Sequence, residues 1–224
     1  MDRATPSRLA NDGKREKNKR EKLLRIKQAA AELFTIKGFD AATTEDIAKR
    51  AKVAKGTLFL YARDKRDLVF LIFNDEIARI SQKAFAQVNC EEPLLEQLVS
   101  VARIFYKSFL RNPQLSRILL AELFFYRGKL ASEFYEDRQR VIGRYQRLLS
   151  QAQSSGKLAA DVDTAIASQH FFILISGSLR IWLADENPNL SRGLEQLRRI
   201  LSLSIHSKAS LPKRSEAAAS SGPP

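Results

Sequence analysis

Apolar side chains recur at intervals of three and four residues along almost the whole chain. This spacing places them on one face of an α-helix, and nowhere are alternating apolar runs joined by the Asn-Gly or Asp-Gly turns that indicate β-hairpins. The sequence therefore predicts an all-α protein of about nine helices. We expect an N-terminal three-helix head followed by a longer C-terminal helical region.

Glycine, proline and capping residues divide the helical pattern into segments. The first helix is expected over residues 19–37, because Gly38 is the residue type favoured just past a helix end. Side chains of Thr43 and Thr44 can cap a short second helix that ends near Ala51, and Gly56 opens a third. Longer helices are predicted over residues 65–88, 92–111, 113–126, 129–154, 162–185 and 190–206.

Positive charge is concentrated at the N-terminal end of the chain. The formal net charge is +13, and residues 1–66 carry 18 Lys and Arg against 9 Asp and Glu, whereas the remainder carries 20 against 16. Such an excess is typical of a region that meets a polyanion. A solvated charged surface is the alternative, and charge alone leaves both interpretations open.

Several classes of protein are disfavoured by residues that the sequence lacks. Cys90 is the single cysteine, which excludes an intramolecular disulfide and favours a reducing cytoplasm. The longest uncharged stretch, residues 164–179, is too short and too polar for a membrane span. His170 and His206 stand in no metal-ligand or catalytic spacing, so we expect no metal, no cofactor and no enzyme active site.

The segment TTEDIAKRAKVAKGTLFLYARDK predicts two short helices joined by a tight turn. The DNA major groove is just wide enough for one helix, and a second helix lying across it must hold the first in place. Ile47, Ala51 and Leu58 are expected to form a small core between the two helices. Polar and basic side chains then remain available to DNA.

A longer stretch around this motif, AAAELFTIKGFDAATTEDIAKRAKVAKGTLFLYARDKRDL, resembles the TetR family of transcriptional regulators. The match follows the family's first four helices in order and spacing, and KGTLFLY followed by Lys65 is its most specific part. The resemblance implies a homodimer that binds a palindromic operator in double-stranded DNA and is released by a small molecule. A repressor is the expected form, although the sequence does not separate repressor from activator.

The resemblance also implies roles for individual side chains of the motif. Residues expected to hold phosphates are Thr44, Tyr61 and Lys65, and those expected to enter the groove are Lys55, Gly56 and Thr57, with Thr43 beside them. Leu60 has two interpretations, contact with a thymine methyl group or filling of the small core.

Three positions depart from the family's usual residues. Phe59 stands where a tyrosine is usual, Ala62 where an aromatic residue is usual, and Lys52 where the turn often has glycine. If Lys52 adopts the left-handed conformation, the cost relative to glycine is on the order of 1 kcal/mol.

The predicted division of the chain has four parts. These are residues 1–18 as a basic flexible arm, 19–66 as the helix-turn-helix DNA-binding domain, 67–206 as the effector-binding and dimerisation domain, and 207–224 as a disordered tail. The arm can add non-specific attraction to DNA or can read a minor groove, and we favour the first.

The C-terminal region is expected to hold a dimer interface and an effector pocket. A broad face of the helix at 162–185 carries small and apolar residues that permit close helix contact; the interface candidates are Ile166, Gln169, Ile173, Ser176, Gly177 and Arg180. Aromatic residues favour a largely apolar effector; the pocket candidates are Phe105, Phe109, Phe124, Phe125, Phe134, Phe171 and Phe172. Each aromatic residue taken singly has the alternative of simple core filling.

Two other functional classes remain as alternatives. One is a non-specific architectural nucleic-acid-binding protein, and the other is a helical protein of the membrane surface. The ordered turn motif disfavours both, because electrostatic adhesion requires no such spacing.

Overall fold

The structure, a computed structural model, describes residues 6–123 and 125–206. Within these residues it contains nine α-helices and no strand, so the predicted all-α fold is confirmed. The helices are α1 (Pro6–Lys37), α2 (Thr44–Arg50), α3 (Lys55–Tyr61), α4 (Lys65–Ala86), α5 (Leu94–Phe109), α6 (Pro113–Glu122), α7 (Ala131–Ser154), α8 (Thr164–Ala184) and α9 (Leu190–His206).

Two predicted helix boundaries were wrong by several residues. Helix α1 begins at Pro6 rather than near residue 19, and the added segment contains Lys, Arg, Glu and Ala, which favour a helix. Proline is also well tolerated at the first helical position. Helix α6 ends at Glu122 rather than at residue 126, since Tyr126 donates a hydrogen bond to Asp67 in the first turn of α4 and Lys129 donates one to the carbonyl of Leu60 in α3.

The chain forms two compact units. The first, called the head unit, comprises residues up to Asp75 together with Ile118–Ser132. The second, called the body unit, comprises Glu76–Arg117 and the residues from Glu133 onward. The head unit thus includes the first turns of α4 and the connection between α6 and α7, both of which the sequence assigned to the C-terminal domain.

The core of the head unit lies where α1, α2 and α3 meet. Ile26 and Phe34 of α1, Ile47 of α2 and Leu58 of α3 are all fully buried or nearly so. Helix α2 packs against both α1 and α3. The predicted small core is therefore present, and it fixes the two short helices relative to each other.

The turn between α2 and α3 depends on one unusual backbone conformation. Lys52 has a φ of 53°, which lies in the left-handed region, and its N–H donates to the carbonyl of Lys49. Val53 then donates to the carbonyl of Ala48, so the chain reverses within three residues. The left-handed conformation considered for Lys52 is thus observed.

The body unit is built around α5, whose Leu98 and Val101 are fully buried. Helix α9 packs against α5 and against α8. Arg198 of α9 forms a two-pronged ion pair with Glu96 of α5, in which Nη2 lies 2.8 Å from Oε2 and Nη1 contacts Oε1. This pair fixes the rotation of α9 on its neighbour.

We expect Lys52→Gly to stabilise the protein by roughly 0.5–1 kcal/mol. Relief of the left-handed strain is worth about 1–2 kcal/mol, and the greater freedom of glycine in the unfolded chain offsets part of it. The free energy of unfolding measured by urea denaturation tests this expectation. Lys49→Gly, three residues earlier in the regular helix α2, is the matched control and should destabilise by a similar amount.

Candidate functional site

Helix α3 is buried on one side and exposed on the other. Leu58 points into the head core, whereas Leu60 on the opposite side is 70% exposed and Phe59 is 42% exposed. Lys55 and Gly56 at the start of the helix are also exposed. The exposure of Leu60 excludes the core-filling alternative, and its side chain stays available to an external partner.

The N-terminus of α2 is capped by Thr43. Its hydroxyl accepts a hydrogen bond from the backbone N–H of Asp46 at 3.0 Å, as predicted for a capping threonine. The side-chain hydrogen bond from Lys37, followed by the one from Thr43, lowers the pKa of Asp46. Thr44, the first residue of the helix, is half-buried. Thr43 therefore has an observed structural role beside its expected place near DNA.

Lys55 and Tyr61 lie at the two ends of α3. The ammonium of Lys55 is 3.3 Å from the carboxylate of Glu45 in an exposed pair, which is weak in water. The hydroxyl of Tyr61 donates to the backbone carbonyl of Lys19 at 3.3 Å. Both polar groups lie near the surface and can exchange these partners for an external anion.

Lys65 holds the connection between α1 and α2. Its ammonium donates to the carbonyl oxygens of Phe39 at 2.8 Å and Asp40 at 2.9 Å, and it lies 4.9 Å from the centroid of the Phe39 ring. An ammonium has three donors, so one N–H of Lys65 remains for another acceptor. The side chain is thus a structural clamp as well as a candidate phosphate ligand.

Basic side chains cover the exposed part of α1 that follows residue 12. Those with exposed side chains are Lys14, Arg15, Lys17, Lys19, Arg20, Lys22 and Arg25. The first twelve side chains of the predicted basic arm lie outside the described residues. The described part of the arm continues α1 as a helix and presents a surface suited to a polyanion.

Asp67, in the first turn of α4, is the centre of a buried hydrogen-bond network in the head unit. Its Oδ1 accepts from the hydroxyl of Tyr126 at 2.5 Å and from the N–H of Lys129 at 3.1 Å, and its Oδ2 accepts from the N–H of Arg63 at 2.8 Å. Burial raises the pKa of Asp67, but these hydrogen bonds outweigh it and the net pKa is lowered. The carboxylate therefore ties the start of α4 to the α6–α7 connection.

Gly128 permits this network, and sequence reasoning missed it. A Cβ atom at Gly128 would lie 2.0 Å from Oδ1 of Asp67 and 2.2 Å from the ring of Tyr126. Only glycine fits there without moving both groups. The sequence signal that could have indicated this network is the close spacing of Tyr126 and Gly128. Both lie where one predicted helix was expected to end and the next to begin.

The aromatic pocket candidates that the structure describes differ widely in their burial. Phe109, Phe134 and Phe171 are buried in the body unit, Phe105 and Phe172 are half-buried, and Phe124 lies outside the described residues. Phe125 is 89% exposed, so its assignment to a pocket is wrong for this chain. It follows the early end of α6 and lies on the connection instead of on a helix face.

A surface cleft of about 270 Å³ lies between the second half of α4 and α7. Both helix segments belong to the body unit. None of the seven aromatic candidates lines the cleft; its lining residues are Gln82, Phe85, Ala86, Val88, Cys90, Arg144, Arg147, Leu148 and Gln151. The sequence analysis selected none of these residues for a binding site, so this cleft was not predicted.

Tyr106 of α5 carries a buried hydroxyl with no hydrogen-bond partner among the described residues. Its ring stacks on Trp182 with centroids 4.6 Å apart, and burial raises the pKa of the phenol well above its usual range. A buried donor left unsatisfied costs about 1–3 kcal/mol. Because buried polar groups almost always have a hydrogen-bond partner, this hydroxyl requires one from outside the described chain, such as water or a bound molecule.

Helix α8 presents exposed isoleucines along one side. Ile166, Ile173 and Ile181 are each at least half exposed, and Leu203 of α9 is exposed as well. Of the remaining predicted interface residues, Gln169 is exposed, whereas Ser176, Gly177 and Arg180 are half-buried. Sequence reasoning did not select Ile181 or Leu203.

By length and composition alone, α8 is apolar enough to cross a membrane, and it is the one helix of the described chain with that property. The core helix of a soluble protein passes the same test, and 39% of the apolar window is already buried inside the chain. The exposed remainder includes the apolar surface formed by the three isoleucines.

Two family models match the chain in succession. Residues 26–72 match the model for bacterial regulatory proteins of the tetR family, and residues 96–184 match the C-terminal domain of AefR-like transcriptional repressors. The first match contains α2, α3 and the Asp67 carboxylate. The second contains most of α5 and all of α8.

Individual relatives are similar over most of their length. The fatty acid metabolism regulator protein of Bacillus subtilis is 23% identical over 193 residues, covering 86% of this chain and all of the relative. The structure of FadR from B. subtilis in complex with stearoyl-CoA has a TM-score of 0.66 at 22% identity, covering 82% of this chain and 99% of that one. FadR from Thermus thermophilus, solved with lauroyl-CoA, has a TM-score of 0.64 at 23% identity, with 86% and 99% covered. The structural likeness shows a common fold.

We expect Asp67→Asn to destabilise the protein by about 1.5–3 kcal/mol at pH 7, because three hydrogen bonds to a charged group are weakened. The pKa of an Asp carboxyl group is about 3.9 in the unfolded chain and is lower here in the folded protein. Its contribution to stability is therefore fully present above the unfolded-state pKa and is lost as the pH falls through the folded-state pKa. The difference between wild type and variant in urea denaturation should therefore shrink between pH 5 and pH 3.

Asp64→Asn is the matched control for this experiment. Oδ1 of Asp64 accepts from the backbone N–H of Asp67 at 2.9 Å, and asparagine caps a helix equally well. The control variant should change stability little. A difference for Asp67→Asn that stays constant down to pH 3 would contradict the role given to its charge.

Proposed function

Because this chain belongs to the TetR family of bacterial transcriptional regulators, we propose that it is a cytoplasmic repressor that binds a palindromic operator as a homodimer and is released by a small-molecule effector. The observation that carries the proposal is the one-sided burial of α3. Leu58 fixes the helix in the head core, while Lys55 and Leu60 are left exposed on a basic surface.

In this proposal, α3 is the helix that enters the major groove. Lys55, Gly56 and Thr57 meet the DNA at the start of the helix, where the absent side chain of glycine lets the backbone approach closely. The exposed Leu60 packs against a thymine methyl group. Phosphates on either side fix the position of the helix but carry no sequence information.

The phosphate ligands in this proposal lie on three different elements of the head unit. Thr44 at the N-terminus of α2 and Tyr61 at the end of α3 donate hydroxyl hydrogens to phosphate oxygens. Lys65 keeps its two carbonyl acceptors and uses its third N–H for a phosphate. The exposed basic residues of α1 add attraction that does not depend on sequence.

Dimerisation in this proposal uses α8 and α9. Exposed isoleucines on α8 and Leu203 on α9 supply an apolar surface, and the half-buried Ser176 and Gly177 permit close approach of a second copy. A two-fold pair of chains would place two α3 helices about 34 Å apart, as successive major grooves require. A palindromic operator follows from that symmetry.

We further propose a long-chain acyl-CoA thioester as the effector. The support is the full-length match to a fatty acid metabolism regulator and the stearoyl-CoA and lauroyl-CoA complexes of the FadR relatives. Buried aromatic rings in the body unit suit an acyl tail, in agreement with the expected apolar effector. If acyl-CoA thioesters neither bind the purified chain nor weaken its binding to operator DNA, this part of the proposal is wrong.

An effector can lower DNA affinity only if it binds one conformation of the protein better than another. Helix α4 runs without interruption from Lys65 in the head unit to Ala86, which belongs to the body unit. We propose that movement of this helix transmits binding, because a displacement of its first turn also displaces Asp67 and the groups bonded to it.

We expect Lys55→Ala combined with Tyr61→Phe to weaken operator binding at least tenfold without unfolding the head. Both changes remove phosphate or groove contacts, and Phe retains the ring that packs at the end of α3. The operator is first isolated by selecting bound fragments from random DNA, and affinity is then measured by gel shift at several salt concentrations. The salt slope should fall by at most about one, because Lys55→Ala removes one positive charge and Tyr61→Phe removes none.

The matched control is Lys107→Ala with Tyr135→Phe, which makes the same chemical change at exposed positions of the body unit. Its operator affinity should equal that of the wild type. Equal loss in both variants, or selection that yields no preferred sequence, would favour the non-specific architectural alternative that the net charge of +13 leaves open.

We expect Ile173→Lys to dissociate the dimer. The side chain is 64% exposed on α8, so lysine is tolerated by the single chain but places two charges together across an isologous interface. Sedimentation velocity should show a monomer, and operator affinity should fall with it. Ile36→Lys, at a 71% exposed position on α1, is the control and should remain dimeric.

A further inference from the structure

Lys129, on the connection between α6 and α7, reaches the C-terminal end of α3. Its ammonium donates a hydrogen bond to the backbone carbonyl of Leu60, which lies 69 residues earlier in the chain. The last carbonyls of an α-helix have no donor within the helix, and a cation beside them also complements the helix dipole. Both residues belong to the head unit. Lys129 therefore caps the helix that is proposed to enter the major groove.

The backbone of Lys129 is held in place by the buried carboxylate of Asp67. Oδ1 of Asp67 accepts from the N–H of Lys129 at 3.1 Å, and Oδ2 accepts from the N–H of Arg63 at 2.8 Å. The absence of a Cβ atom at Gly128 allows the connection to approach the carboxylate this closely. The side chain of Arg63 is 62% exposed, and that of Lys129 is exposed as well. One carboxylate thus positions two cationic residues whose side chains reach the surface.

Positive charge is in excess around this end of α3. Residues 61–67 and 122–130 together carry five Lys and Arg against three Asp and Glu. Of the three acidic residues, Asp67 is buried and Glu122 pairs with Arg66 at 3.2 Å. The surface beside the end of the helix is therefore suited to an anion.

The ammonium of Lys129 retains donors for such an anion. An ammonium has three N–H donors, and the carbonyl of Leu60 is its one acceptor among the described residues. Tyr61, which follows Leu60, is one of the proposed phosphate ligands. The hydrogen bond to Leu60 thus keeps an exposed positive charge next to a position where the DNA backbone is expected.

We propose that Lys129 binds a backbone phosphate of the DNA, so that the α6–α7 connection forms part of the DNA-contacting surface. The inference rests on the proposed function and adds to it a contact from outside the helix-turn-helix region, since the tetR-family model matches residues 26–72. Phosphate contacts carry no sequence information. Lys129 therefore adds affinity and helps to fix the position of α3 without selecting a base.

Lys129→Gln tests this contact in the full-length protein, because glutamine removes the charge and keeps a hydrogen-bond donor. Binding to the selected operator and to an unrelated duplex of equal length is measured by fluorescence anisotropy at several salt concentrations. We expect both affinities to fall by the same factor, about three- to tenfold, and the salt slope to fall by about 0.9 for each chain in the complex. Lys129→Arg keeps the charge and should retain the wild-type salt slope.

The matched control is Lys107→Gln, which makes the same change at an exposed position of the body unit and should leave both affinities and the salt slope unchanged. Operator duplexes that each carry one neutral methylphosphonate linkage then locate the contact. At one phosphate in each half-site, the substitution should weaken the wild type but not Lys129→Gln. At all other positions it should weaken both proteins equally.

The outcomes separate the contact from the function. Equal affinity of Lys129→Gln and the wild type for both duplexes would overturn the phosphate contact. A loss confined to the operator, with an unchanged salt slope and no distinguishing methylphosphonate position, would show that Lys129 only caps α3 and would overturn it too. If the wild type binds DNA but selects no sequence, the proposed operator binding is wrong, and the unrelated duplex still decides the contact. If the wild type binds no DNA, both are wrong.

Discussion

Helix α3 has only seven residues, and a helix of that length is not stable in water by itself. It exists because Leu58 is buried against a core that includes Ile47 of α2 and Phe34 of α1. Full burial of each such side chain contributes about 1.5–3 kcal/mol. The exposed side of α3 therefore contributes little to folding, and its residues are free to be selected for recognition of a partner.

Burial also determines which charged groups of the head unit stabilise its structure. Arg50 and Glu32 form an ion pair between α2 and α1, but both are exposed and such pairs contribute little. Asp67 is buried, and its hydrogen bonds to Tyr126 and to two backbone N–H groups act where water does not compete. The position of α4 depends on this buried carboxylate more than on the surface pairs.

Much of the fold and half of the candidate site could be predicted from the sequence, because they depend on local chemistry. The end of α1 follows from Gly38, whose φ of 81° few other residues adopt, and the cap of α2 follows from Thr43. The early end of α6 could not be predicted, because it depends on a contact between Tyr126 and Asp67, 59 residues apart. The spacing of apolar residues predicts which side of a helix faces the core. It does not predict which distant segment of the chain packs against that side.

The cleft escaped prediction for a related reason. Arg144 and Arg147 lie on a helix with many charged residues. The sequence does not indicate which of these arginines form ion pairs, and these two form none with a described carboxylate. Aromatic content did not indicate the cleft: the selected Phe109 and Phe171 are buried in the core, whereas Phe85, which was not selected, lines the cleft. Amino-acid composition can indicate which region of the chain is rich in aromatic residues. Locating a binding site also requires knowing which polar groups have no partner in the folded structure.

Two features of the body unit are unfavourable in a single unliganded chain. The hydroxyl of Tyr106 is buried with no partner among the described residues, and Ile166, Ile173 and Ile181 expose apolar surface on α8. Phenylalanine in place of Tyr106, and polar residues in place of the exposed isoleucines, would allow the single chain to fold at least as well. The stability of the single chain therefore does not explain why these residues are present. Under the proposed function each gains a partner: the hydroxyl a hydrogen-bond acceptor on a bound molecule, and the isoleucines a second copy of the chain. A protein whose stability is completed by binding is one whose conformations a ligand and a partner can shift.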